Sequence, residues 1–343
     1  MEKAVLPFVV EPGGDGRELD GLERRIQARE FENELTRTGA VLFRGFDVRG
    51  AEDFQRLALA VAPDLQEQYL GTSPRESKSR YVFSASELPA FYPIMQHCEM
   101  SFLPSAPRNI FFYCKTAPSV GGETPITDFR KVAASLNPKI RREFEQKGIR
   151  NIRNYAGPRS PKSFDLWSLK RWDEMFKTED KAAVEAECQK QGFEFQWLKN
   201  DRLRLINTQQ AFKTHPKTGE VAWFNHLQVF HTAAAAYEYK KIAALRPGLK
   251  NRALSLFTAA MTRMKKSVSP YENHGTHCTF GDGTPIPEAY IFHVMDVIWQ
   301  HLTPLRWQAG DVIAIDNYSI AHGRLPYSGP REVLVAWTGD AQS

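Results

Sequence analysis

The 343-residue sequence contains no run approaching the roughly 20 apolar residues needed to cross a bilayer. Met1-Glu2-Lys3-Ala4 leads into no apolar segment of the secretory type. A cytoplasmic protein that does not enter the membrane is expected. The four cysteines, Cys98, Cys114, Cys188 and Cys278, form no CxxC pair, which excludes the common zinc-finger spacings and a disulfide framework and agrees with a reducing compartment. Charge of one sign is never concentrated. The 45 basic and 40 acidic residues leave a net +5 without a basic stripe, so a nucleic-acid role is not expected. Neither an internal repeat nor a low-complexity linker divides the chain, and residues 1–343 are expected to form one domain. What is there is a globular mixture, 42% hydrophobic, 25% charged and 12% aromatic, enough for a sizeable core.

Apolar periodicity predicts helices over 18–38 and 51–62, with a buried strand between glycines over 39–46. A polar loop at 73–79 precedes a strand at 80–83. The aromatic and branched run 109–114 has the density of a core strand, and Gly121-Gly122 then turns the chain into 123–128. Residues 129–200 change character, with helical patterns over 130–146 and 179–190 around an aromatic stretch holding Trp167, Trp172 and Phe176. They are expected to form a helical insertion, and the tryptophans fit a lid or plain packing. Strands over 193–197, 203–207 and 221–225 follow, then helices over 232–245, 250–263 and 287–301, and closing strands over 311–316 and 332–337. The fold class is α+β, with a double-stranded β-helix (jelly-roll) core, flanking helices and the inserted helical lobe.

The chemistry is concentrated in Gln96-His97-Cys98-Glu99-Met100-Ser101-Phe102 and in His322. On an extended strand His97 and Glu99 face one way and Cys98 the other, so a distant His322 completes two histidines and one carboxylate. That trio is the ligand set of a mononuclear non-haem iron(II) oxygenase, and it leaves about half of an octahedral sphere open. A structural zinc site is filled by four ligands. A single histidine among the chain's nine is more often a hydrogen-bonded core residue, so the case rests on the blocks in which these residues stand.

Three blocks occur in order: His97-Cys98-Glu99-Met100-Ser101, Gly121-Gly122-Glu123-Thr124-Pro125, and His322-Gly323-Arg324-Leu325-Pro326-Tyr327-Ser328-Gly329-Pro330-Arg331. On them the chain, from about Gly39 onward, resembles the iron(II)/2-oxoglutarate-dependent oxygenases of the taurine dioxygenase family. Tyr69-Leu70-Gly71-Thr72-Ser73-Pro74-Arg75, His215-Pro216-Lys217-Thr218-Gly219-Glu220 and Trp223-Phe224-Asn225-His226 make it similar to the syringomycin-type amino-acid hydroxylases of non-ribosomal peptide pathways, which use Glu as the acidic ligand. Cys98 departs from that branch, which usually has a polar residue there.

The resemblance implies that His97, Glu99 and His322 bind Fe(II), that 2-oxoglutarate chelates it, and that O2 is the oxidant. Arg331, with Thr124, would hold the distal carboxylate of 2-oxoglutarate through parallel charge-assisted hydrogen bonds; Arg324 is a rival anchor. The implied reaction yields succinate and CO2 and hydroxylates an unactivated C–H bond of an amino acid or amino-acid-derived intermediate in natural-product biosynthesis. The substrate is a small molecule, free or carried as a thioester on a carrier protein. Desaturation, epoxidation or oxidative cyclisation with the same cofactors stays open, as does a non-catalytic metal-binding jelly roll. Glu99 speaks against halogenation, because a halogenase of this family replaces the acidic ligand with a small residue. Arg75, Ser101, Asn225 and Arg324 are candidate contacts to a polar substrate, with His226 beside them, and Met100, Ser101 and Phe102 would continue the metal strand as pocket wall. His226 and His231, five apart, fit neither a strand face nor an i,i+4 helical pair and are read as structural or substrate-facing. Self-association into a homo-oligomer is left open.

Overall fold

The structure is a computed structural model and describes residues 6–14, 16–67, 75–86, 88–161 and 169–340. The strand Asn109–Thr116 is apolar from Ile110 to Cys114, the signature of a strand covered on both faces. It lies inside a six-stranded sheet of order Phe8–Val10, Ala40–Phe43, Val312–Asp316, Asn109–Thr116, Glu332–Trp337 and Phe83–Ser84, parallel only between the first two. Side chains alternate between its faces. Phe111, Tyr113, Val312, Ala314, Leu334 and Ala336 pack with Leu22, Ile26, Phe54 and Leu57 of helices Leu19–Gln27 and Ala51–Val61. Ile110, Phe112, Ile313, Ile315, Val333 and Val335 turn to the other side and join the main core.

Across that core lies a four-stranded antiparallel sheet of order Leu302–Leu305, Thr124–Asp128, Ile320–Arg324 and Ile94–His97. It contributes Ile126, Leu305, Ile320 and Ala321 to the shared interior. The two sheets are the jelly roll. Gly39 shows how closely they are fitted: at φ 82 it ends helix Glu32–Thr38, and a Cβ there would come within 2.4 Å of Ile320 Cγ1, two residues from His322.

The stretch 129–200, read as a helical insertion, has helices Phe129–Ser135, Pro138–Lys147, Trp172–Phe176 and Lys181–Lys190. It also has strands Ile149–Tyr155 and Glu194–Leu198, which flank Arg202–Gln209 in a further sheet closed by Thr276–Phe280. The lobe is thus a helix-and-strand layer continuous with later chain. The helix expected over 130–146 is two helices because Asn137 accepts the Lys139 N–H and Pro138 takes the first helical position. Trp172 is buried, donates to the Asp201 carbonyl at 2.9 Å and meets Trp197 edge to face. It is packing rather than lid, and Trp167 falls outside the described residues. Helices Ala234–Leu245, Leu249–Val268 and Glu288–Gln300 complete the chain's helical side. Among the described residues no helix is long and apolar enough to cross a membrane.

Candidate active site

His322 sits in mid-strand on Ile320–Arg324 and is the register partner of His97 on the neighbouring strand, so two imidazoles from opposite ends of the chain meet with ring centroids 4.5 Å apart. Glu99 arrives differently from the expectation. The strand ends at His97, and Glu99, Met100, Ser101 and Phe102 lie in a turn closed by Ser101 N–H donating to the Cys98 carbonyl at 3.2 Å, with Met100 in the left-handed region at φ 51. Period-two alternation therefore does not aim the carboxylate. Asn317 does: its Oδ1 accepts the Glu99 N–H at 2.6 Å, and its Nδ2 donates to the Glu99 carbonyl at 3.0 Å and the Pro107 carbonyl at 2.8 Å. Cys98, Met100 and Phe102 are buried in the main core.

His97 Nδ1 donates to the Met95 carbonyl at 2.8 Å, which leaves Nε2 as the lone-pair nitrogen, 4.0 Å from Glu99 Oε2. His322 Nε2 is 3.5 Å from the same oxygen, and one donor atom from each residue lies within 4.8 Å of the others. Burial, reinforced by the neighbouring His322 and opposed by Glu99, pushes His97 down to about 4. For Glu99 burial alone would raise the carboxyl, but the Arg75 guanidinium at 3.1 Å together with the two histidines holds it well below the usual carboxylate range. His322 Nδ1 is buried without a hydrogen-bond partner among the described residues. A buried carboxylate held ionised beside the His97 and His322 imidazoles, with His97 pushed toward its neutral form, is a donor set that fits a divalent metal.

The cavity at this cluster is also lined by Ile94, Phe112, Thr124, Gly323, Arg324, Arg331 and Val333. Arg331 donates weakly, at 3.2 Å to the Gly122 carbonyl and at 3.4 Å to Thr124 Oγ1, and pairs with no carboxylate among the described residues. Burial, and then Arg324, pushes it down to about 10. Thr124 accepts the Trp307 indole N–H at 2.9 Å, so its own hydroxyl proton is left to donate. Gly122, at φ 69, lets the guanidinium stem in: a Cβ there would stand 3.2 Å from Arg331 Cδ and 2.6 Å from Pro118 Cγ.

The remaining sequence candidates divide. Arg324 lines the cavity, yet both its terminal nitrogens donate to main chain, Nη1 to the Leu88 carbonyl at 3.1 Å and Nη2 to the Pro89 and Tyr92 carbonyls at 2.8 Å each, while its buried Nε has no partner among the described residues; it fastens a loop. Asn225 is fully buried away from the cavity lining, its Nδ2 on the Ala211 carbonyl and its Oδ1 accepting the Leu227 N–H. The Trp223–His226 block braces the site instead, since Trp223 steadies Gln228, whose amide donates to the carbonyl of Gln96 beside His97. Ser101 Oγ meets His226 Nδ1 at 2.8 Å, and the His226 ring lies 5.1 Å from that of His97, while His231 stands apart against His277. Arg75 is at the cluster, and the preceding Tyr69–Pro74 lies outside the described residues. Asn317, Met95 and Trp307 were not legible as site residues, because their roles depend on long-range pairing that leaves no local spacing signal.

A jelly roll with a two-histidine, one-carboxylate cluster between neighbouring strands of one sheet defines the class of mononuclear non-haem iron oxygenases. Residues 3–337 match the family described as taurine catabolism dioxygenase TauD, TfdA family, and the chain belongs to it. It is accordingly a dioxygenase that uses iron(II), 2-oxoglutarate and O2. It is 32% identical over 302 residues to the dapdiamide synthesis protein DdaC of Enterobacter agglomerans, covering 88% of this chain and 82% of that one. It is 28% identical over 317 residues to a clavaminate synthase-like protein of Arabidopsis thaliana, covering 91% and 85%. Its fold is similar to that of PvcB from Pseudomonas aeruginosa, with TM-score 0.52 at 13% identity over 96% of this chain and 84% of that one; PvcB is described as an Fe, alpha-ketoglutarate dependent oxygenase from an isonitrile synthetic pathway.

Proposed function

We propose that this dioxygenase hydroxylates an unactivated C–H bond of an amino acid or amino-acid-derived intermediate in natural-product biosynthesis, releasing succinate and CO2. His97, Glu99 and His322 hold the iron; Arg331 and Thr124 hold 2-oxoglutarate. The observation that carries this reading is the single cavity in which the three-residue cluster and the carboxylate-free Arg331 guanidinium stand together. Iron, when bound with 2-oxoglutarate and O2, supplies the oxidising chemistry; the chain supplies position. Met95 orients the His97 ring, Asn317 holds the Glu99 backbone, and Arg75 pairs with the Glu99 carboxylate and favours its ionised form. The Arg331 fork and the Thr124 hydroxyl fix the far end of the chelate, and Arg331 is preferred to Arg324 because both terminal nitrogens of the latter already donate to main-chain carbonyls. Ile94, Phe112 and Val333 form the apolar wall that excludes water.

The names of DdaC and PvcB, both from pathways that build nitrogen-containing natural products, support the substrate class. So does Arg75, whose buried guanidinium lines the cavity beside Glu99 and can attract a substrate carboxylate. The substrate reaches the site free or as a carrier-bound thioester. The test is anaerobic addition of Fe(II) and 2-oxoglutarate, read as the weak visible metal-to-ligand absorption, then aerobic succinate release against a panel of amino acids offered free and as thioesters. A folded wild-type protein with no absorption band would sink the reading.

A further inference from the structure

Half of the large exposed apolar side chains among the described residues, five of ten, lie on one element. Helix Leu249–Val268 carries Leu249 at 88% exposure, Leu256 at 66%, Phe257 at 52%, Met264 at 51% and Val268 at 76%. Its buried side is slight, with Thr258 alone fully covered. At 100° per residue the exposed positions 249, 253, 256, 257, 260, 264 and 268 fall within an arc of about 120°, a seam spaced by threes and fours along the helix. An apolar strip of that length on a water-facing helix marks an interface.

We infer that this face is the contact between two copies of the chain, paired as antiparallel helices about a two-fold axis that passes level with the bond between Thr258 and Ala259. That register sets Leu249 against the partner's Val268, Ala253 against the partner's Met264, and Phe257 against the partner's Ala260. Leu249 and Val268 then meet at the helix ends, Ala253 and Ala260 receive Met264 and Phe257, and Leu256 lies against the partner's Met261 near the axis, so the helices interdigitate and the seam is the same read from either end, as an isologous contact requires. The five exposed side chains amount to apolar surface on the order of 500 Å² per copy. Doubled across the axis, that reaches roughly the 1,000 Å² at which a lasting interface begins.

Charge sets the terms of the contact without providing it. The helix carries Lys250, Arg252, Arg263, Lys265 and Lys266 and no acidic residue. Lys266 is tied to Glu288 of the same chain and Lys265 turns toward an internal cavity. Arg252 of one copy comes beside Arg263 of the other on a solvent-exposed edge. Such exposed like charges are weak and screened by salt, so the apolar seam outweighs them and the pairing tightens as salt rises. An acidic protein or an anionic bilayer, the other occupants a basic apolar helix suits, would be held more weakly as salt rises.

Sedimentation equilibrium of the full chain, with iron-free protein at several concentrations and two salt levels, tests this independently of the catalytic reading. The expected result is a reversible dimer that strengthens with salt. It should be weakened about 100-fold by Leu256→Asp or Phe257→Asp, with the far-UV circular dichroism unchanged and the melting temperature lowered only at concentrations where the wild type is dimeric. The double variant Ala253→Cys with Met264→Cys should form a disulfide-linked dimer with oxidised glutathione, and each single variant should not, since the four native cysteines are buried. A monomer at every concentration, a dimer indifferent to both Asp substitutions, a dimer loosened by salt, or cross-linking by the single variants would each overturn the proposal. So would a monomer that sediments with phosphatidylcholine vesicles only when they contain phosphatidylserine, which would assign the face to a lipid surface.

Discussion

Replacing Arg331 with Met separates binding of the co-substrate from folding. The guanidinium is buried, with two long hydrogen bonds to neutral acceptors and no carboxylate among the described residues; burial already pushes it down to about 10. In the ligand-free protein it is therefore a cost rather than a support, and Arg331→Met should leave the melting temperature level or raise it slightly. With 2-oxoglutarate bound the sign reverses. The variant leaves a carboxylate buried without its cation, a loss of about 3–4 kcal/mol, which is two to three orders of magnitude in dissociation constant. Arg331→Lys keeps the charge and loses the fork, so about one to two orders are expected. Arg324→Met is the control: it releases the Leu88, Pro89 and Tyr92 carbonyls, so it should lower the melting temperature and barely move 2-oxoglutarate affinity. Anaerobic titration of 2-oxoglutarate against the iron-loaded protein, followed by the visible band, measures affinity, and differential scanning fluorimetry of the apo protein measures stability. Wild-type affinity in Arg331→Met, or loss of affinity in a folded Arg324→Met, would refute the assignment of the anchor.

Glu99→Gln removes the only carboxylate of the cluster and should lower iron retention after gel filtration at least 100-fold while the fold survives; full retention would remove Glu99 from the ligand set. Asn317→Ala frees the turn that carries Glu99, and loss of such an outer contact is expected to cost about 10–100-fold in iron affinity, with a tryptophan-fluorescence melt reporting the accompanying destabilisation; unchanged affinity would mean the turn holds itself. Burial pushes His97, His231 and His277 down to about 4, 4 and 3, so below their ordinary value of 6.5 the unfolded chain takes up protons that the folded chain refuses. Apo stability should therefore be level above about pH 6.5 and fall as pH drops from there toward 4, and a melting temperature flat from pH 7 to 4.5 would contradict those buried, neutral imidazoles.

Much of the jelly roll was legible because its central strands are covered on both faces and so announce themselves as short apolar runs. The expected strand over 332–337 is found as Glu332–Trp337, and those over 109–114 and 311–316 are found as Asn109–Thr116 and Val312–Asp316. The strands that escaped notice carry polar residues for local reasons. Ile149–Tyr155 reads IRNIRNY, a polar pattern for a strand, yet Arg153 is buried over the Phe102 and Phe193 rings and Asn151 is buried with its Oδ1 accepting the Cys278 thiol. Thr276–Phe280 and Ile320–Arg324 hide histidines for the same reason. Tertiary pairing overrides local propensity at such places, and the three strands missed this way include two of the four in the lobe sheet and the strand that carries His322.

Strand alternation is one of the arguments that group His97, Glu99 and His322, and the fold does not use it. Strand alternation was to place His97 and Glu99 on one face, but the strand stops at His97 and a left-handed Met100 turns the chain. The carboxylate reaches the histidines because Asn317, five residues before His322, grips the Glu99 backbone on both sides. The segment that delivers the second histidine thus also aims the carboxylate, so one short stretch, 317–322, organises two of the three donors. A substitution at Asn317 should consequently disturb Glu99 more than His322. In an iron-loaded Asn317→Ala protein the imidazole resonances of His97 and His322, read by paramagnetic NMR, should both persist while the 2-oxoglutarate absorption shifts. Loss of the His322 resonance with Glu99 still bound would place the coupling on the strand instead of on the turn.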